Sequence, residues 1–91
     1  MPSFEFDPAE AAANLKKHRV SFDEAATVFD DPLSSTLPDD QHSEDENRFI
    51  TVGMSIKQRL LFVVYTEEDS RIRLIGARPV TAAEREQYEQ A

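Results

Sequence analysis

The sequence contains no cysteine, which excludes a disulfide framework, a thiolate zinc site and a thiol nucleophile. Core packing and hydrogen bonds are left to stabilise the fold. It also lacks any apolar run near the roughly 18 residues needed to span a bilayer. Its first residues do not follow the basic-then-apolar order of a secretory signal, and a soluble cytoplasmic protein with no membrane partner is expected. Basic residues are scarce: ten Lys and Arg stand against eighteen Asp and Glu, for a formal net charge of −8. Such an excess of acid repels a polyanion at long range. The deficit is uneven, however. Residues 1–47 hold three bases and twelve acids, whereas residues 48–78 hold six bases and three acids. Because charges beyond about 8 Å are screened at physiological salt, this basic half can still bind phosphate locally.

What is present is enough for one core. Phe4, Phe6, Phe22, Phe29, Phe49 and Phe62 supply large apolar bodies, and 91 residues make one small domain, expected over 1–91. Phe4-Glu5-Phe6-Asp7 alternates apolar and polar and stops at Pro8, as a short edge strand would. Asp7 and Pro8 then read as N-cap and first residue of a helix running to His18. Glu10 stands at the capping-box position, and Lys16, Lys17 and His18 lie at the negative end of the dipole. Ser21 with Glu24 is a second capping box. Phe22, Ala25, Ala26 and Phe29 follow at helical spacing, so a second apolar-striped helix is expected up to Asp30. A minor strand is expected within Leu33–Leu37, and a solvated loop follows as far as Asn47.

From Arg48 the period becomes strand-like. Runs over 48–54, 59–66 and 71–78, separated by loops of hairpin length, predict an antiparallel meander whose middle strand, Leu60–Tyr65, is covered on both faces. Thr81 caps a last helix over 82–90, with Glu84 as capping-box partner. Strands and helices segregated in this way give an α+β fold: an antiparallel sheet with two N-terminal helices and a C-terminal helix.

These blocks, in this order, resemble the BrnT family of type II toxins. The likeness rests on Phe4-x-Phe6-Asp7, on Ala12-x-Asn14-x-x-Lys17-His18-x-Val20-x-Phe22-x-x-Ala25, and on Asp30 with Pro32. It continues through His42-Ser43-x-x-Glu46-x-Arg48, Arg71-x-Arg73-x-Ile75-x-Ala77-Arg78 and Thr81-x-x-Glu84-Arg85-x-x-Tyr88. Where the family usually has glycine after Lys-His the chain has Arg19, and where a serine or threonine often precedes Ala-Arg it has Gly76. The resemblance implies a RelE-like fold, endoribonuclease activity that inhibits growth, and neutralisation by a BrnA-like antitoxin. Operator DNA would be met only through that antitoxin. Gly76 and the net charge keep an alternative open: a catalytically weakened module acting mainly as an antitoxin-binding co-repressor.

Metal-free RNA cleavage needs a group to activate the 2′-hydroxyl, a cation near the phosphorane and an acid for the leaving oxygen. Arg73 and Arg78, with Lys17 and His18, are the catalytic candidates. Guanidinium forks bind phosphate oxygens bidentately, and histidine is the side chain that titrates near neutrality. Lys16, Arg59, Arg71 and Tyr88 are the expected RNA contacts. The alternative for the strand arginines is an exposed face paired with Glu67, Glu68 or Asp69; for His18 it is a helix-end cation, and for Tyr88 a packing role. Simple alternation places Arg71 and Arg73 on one face and Arg78 on the other. A bulge at Gly76 would reverse the parity and bring Arg78 round to join them. His42 and Glu46 lack the helical spacing of a credible metal pair, and no metal or cofactor is expected.

Overall fold

The computed structural model describes residues 3–39 and 47–90; the reading of His42 and Glu46 falls outside them. Eight elements follow one another: β1 (Ser3–Glu5), α1 (Pro8–His18), α2 (Phe22–Ala26), β2 (Ser35–Pro38), β3 (Arg48–Met54), β4 (Leu60–Glu68), β5 (Arg71–Pro79) and α3 (Ala82–Gln90). The caps are those the sequence specifies. Asp7 accepts from the Ala9 N–H at 2.7 Å, Ser21 from the Glu24 N–H at 3.0 Å, and Thr81 from the Glu84 N–H at 3.2 Å. The second helix is shorter than its apolar stripe, because Thr27–Asp30 tightens into a 3-10 turn.

The sheet has five strands in the order β1-β5-β4-β3-β2. The meander β3-β4-β5 is antiparallel, and β2 extends it antiparallel to β3. Asp69 and Ser70, both at positive φ (51° and 67°), turn the β4–β5 hairpin. The sheet as a whole is mixed, contrary to the antiparallel expectation, because β1 runs parallel to β5, pairing Ser3 with Arg71 and Glu5 with Arg73. No hairpin joins β1 to β5. The connection passes through two helices and three strands, so nothing local imposes an antiparallel direction.

One face of the sheet carries the core. Leu61, Val63, Tyr65, Ile72, Leu74 and Ala77 are buried there with Val20, Phe22, Ala25 and Val28 from the helical segment. Thr51 hydrogen-bonds Tyr65 Oη and Thr36 Oγ1, both at 2.8 Å, tying β2, β3 and β4 together. The opposite, outer face is only half covered. Phe62 and Val64 of the central strand are intermediate in exposure, so β4 is not buried on both sides as its unbroken apolar run suggests.

Candidate active site

Two local features aim side chains at the outer face. The β4–β5 ladder pairs Val64 with Gly76 but Tyr65 with Leu74, so Ile75 is an extra residue on β5. The parity of β5 therefore reverses. Ile72, Leu74 and Ala77 are buried, and Arg71, Arg73 and Arg78 all belong to the outer face, as a bulge next to Gly76 requires. The second feature is Asn14. β1 covers the edge of β5 only as far as Arg73. Beyond the bulge the Asn14 amide takes over, accepting from the Ala77 N–H at 3.1 Å and donating to its carbonyl at 2.8 Å. Asn14 also donates to the Val20 carbonyl at 3.0 Å, which locks α1 against the strand. Its neighbour one helical turn on, His18, shares that face.

The result is a cleft of about 200 Å³ lined by Asn14, His18, Phe62, Val64, Gly76, Ala77 and Arg78. The Arg78 guanidinium lies 4.1 Å above the Phe62 ring. Its Nη1 and Nη2 donate to the two oxygens of Glu84 at 2.8 and 2.9 Å, and Nη1 also to the Pro79 carbonyl. Of the five guanidinium donors, Nε–H and the second Nη2 hydrogen have no partner among the described residues. Glu84 also accepts from the Thr81 N–H at 2.8 Å. The Arg78 bond, with help from Thr81, holds its carboxyl down at about 2, and the same pair raises the Arg78 pKa.

No residue of α3 is fully buried. Besides Glu84, Tyr88 anchors it, donating to Asp31 Oδ2 at 3.0 Å. Backbone N–H groups of Met54 and Leu33, with Tyr88, lower the Asp31 pKa, while burial and then Asp31 raise that of Tyr88. A second cleft of about 300 Å³ lies between α3 and strands β2 and β3, and Phe62 lines it too.

The family model described as ribonuclease toxin, BrnT, of type II toxin-antitoxin system matches residues 6–84. The chain belongs to the BrnT toxin family. The crystal structure of the Brucella abortus ribonuclease toxin BrnT is similar in fold, with a TM-score of 0.69 at 14% identity, over 89% of this chain and 99% of that one. No curated protein sequence matches.

Within this BrnT family member the expected site residues separate into groups. His18 and Arg78 meet in one cleft. Arg73 shares their face but is half-exposed and pairs with Glu10 of α1 at 3.6 Å. Arg71 is exposed opposite Glu68 at the far end of β5. Lys16 and Lys17 are exposed on the last turn of α1 and do not line the cleft. Arg59 is engaged elsewhere: it binds buried Glu24 through Nε at 2.9 Å and through Nη2, and donates to the Arg19 carbonyl at 2.9 Å. That bond, with Ser55, lowers the Glu24 pKa. Tyr88 lines the second cleft rather than the first.

Three residues escape a sequence reading of the site: Asn14, Phe62 and the Arg78-binding role of Glu84. Asn14 does leave a trace, since it is a weak helix former within an alanine-rich helix. The αL backbone of Arg19, at φ 59° and ψ 31°, gives a physical reason for a glycine there.

Proposed function

We propose that the chain is a metal-independent endoribonuclease toxin whose active site is the cleft between α1 and the bulged strand β5. The observation that carries this is the convergence of His18 and of Arg78, the latter held in place by Glu84 with two donors unpartnered among the described residues. In the reaction His18 takes the proton of a ribose 2′-hydroxyl, whose oxygen attacks the adjacent phosphorus. Arg78 donates to the non-bridging oxygens as negative charge builds on the phosphorane. The P–O5′ bond breaks, a 2′,3′-cyclic phosphate remains, and the 5′-oxygen takes a proton from water or from the imidazolium. Arg73 and Arg71, further along the same face, track the neighbouring phosphates, and Lys16 and Lys17 extend that track beyond the cleft. The RelE-like fold class and the cytoplasm as site of action belong to this reading. So does neutralisation by a BrnA-like antitoxin, with operator DNA contacted only through that partner.

The test is to express the chain alone from an inducible promoter, beside Arg78→Ala and His18→Ala. The purified protein is then incubated with RNA in the presence of EDTA. Growth arrest and fragments ending in a 2′,3′-cyclic phosphate are expected from the natural chain and from neither variant. Well-folded protein that neither arrests growth nor cleaves RNA would end the enzyme reading and leave the antitoxin-binding module.

A further inference from the structure

The cleft between α3 and strands β2 and β3 takes no part in the chemistry above, yet it adjoins it. Its lining includes the aliphatic Leu37, Ile50 and Val52, the rings of Phe62 and Tyr88, the Gln87 amide and the Glu84 carboxylate. At about 300 Å³ it lies at the small end of ligand-binding cavities, a size for one planar ring system and not for a run of peptide. The carboxylates beside it are already satisfied: Glu84 by Arg78 and the Thr81 N–H, and Asp31 by Met54, Leu33 and Tyr88. Among the described residues a basic peptide would find no unpaired anion there, whereas a neutral aromatic ligand is not repelled. Because Phe62 lines both clefts, a ligand in this one is a direct neighbour of a phosphate at Arg78.

We propose that this cleft is a nucleobase subsite, receiving a base of the RNA strand whose phosphate meets Arg78. The inference rests on the ribonuclease reading and adds where a base is held. Apolar walls and two aromatic side chains supply packing that tolerates any base. The Gln87 amide, a donor and an acceptor on an exposed helix position, supplies the edge contact that would discriminate among them.

Dinucleotides carrying a 2′-O-methyl group, which cannot be cleaved, test this when titrated into the full chain. They are compared with an abasic ribose analogue of the same phosphodiester, with free nucleoside monophosphates and with a basic apolar peptide. The dinucleotide is expected to bind about tenfold or more tightly than the abasic analogue. Val52→Met, which fills the cleft without offering a ring, should remove that advantage. Gln87→Ala, at an exposed position of α3 and harmless to folding, should change the ranking of the four bases. Equal binding of base-bearing and abasic ligands overturns the proposal. So does an advantage that survives both substitutions, a mononucleotide that binds as well as the dinucleotide, or binding of the peptide alone. Cleavage with equal base and abasic binding removes only the subsite, while loss of both cleavage and dinucleotide binding removes the ribonuclease reading itself.

Discussion

Replacing Glu84 by Gln removes one charge and keeps the length and one acceptor, which can still serve the Thr81 N–H and Arg78 Nη1, while the amide nitrogen takes the place of the oxygen that accepts from Arg78 Nη2. The natural carboxyl is held at about 2 against an ordinary 4.5, chiefly by Arg78. A pKa lowered by folding stabilises the folded form fully above 4.5, and that stabilisation fades as the pH falls toward 2. The full displacement corresponds to a ceiling of about 3 kcal/mol. Solvent reaches 26% of the Glu84 side chain and 33% of that of Arg78, and screening brings the expected value to about 1–2 kcal/mol. Since α3 buries no residue, the loss should appear as local opening of that helix. Hydrogen exchange is therefore the assay. At pH 7 the α3 amides of Glu84→Gln should lose protection by about five- to thirtyfold relative to the natural chain, following that 1–2 kcal/mol. At pH 3 about three-fifths of the difference should be gone, from the same titration. An equal loss at both pH values, or none at either, would refute the electrostatic account of the Arg78 clamp.

Four further outcomes follow from backbone geometry and packing. A Cβ at Gly53 would meet Val28 Cγ1 at 2.8 Å and Ser34 Cβ at 2.9 Å, whereas one at Gly76 meets nothing nearer than Asn14 Oδ1 at 3.8 Å. Thermal melts should therefore show Gly53→Ala destabilised by about 1–3 kcal/mol and Gly76→Ser folded with a near-natural midpoint. Arg19→Gly relieves the left-handed backbone at φ 59° while keeping the carbonyl that Arg59 binds, and urea denaturation should report about 0.5–1 kcal/mol of added stability. Asn14→Ala removes all three hydrogen bonds between α1, Ala77 and Val20. It should cost about 2–3 kcal/mol in the same assay and abolish RNA cleavage if α1 positions His18.

The legible parts of this fold are those governed by neighbours in sequence. Asp7, Ser21 and Thr81 cap the three helices because a cap depends on residues two or three positions away. The gathering of the arginines on one face was legible for the same reason, since alternation and a glycine within β5 are local signals. What the sequence hid is set by partners far along the chain. Arg59 and Glu24 are separated by 35 residues, and Asn14 and Ala77 by 63; no spacing rule links them. Thus Arg59 reads as a free cation on a basic half while the fold uses it as the counterion of a buried carboxylate. Tyr88 likewise reads as an RNA contact or a packing residue, and only the docking of α3 on Asp31 shows what it holds. The parallel edge strand was hidden too, because β1 obeys β5 and not its own flanking residues.

The extra residue in β5 makes that strand read in two frames, one before Ile75 and one after it. Deleting Ile75 would make the ladder regular and leave Leu74 and Ala77 inward and Arg78 outward. A strand of the natural length paired without the bulge would instead exchange the surface of every side chain beyond Ile75, driving the Arg78 guanidinium into the space Ala77 fills opposite Val63 and leaving a methyl group in the cleft that His18 lines. The bulge is therefore what fixes the surfaces of Ala77 and Arg78: the strand can lose its extra residue and keep both faces, but it cannot keep that residue and lose the bulge without dismantling the core and the cleft in one event.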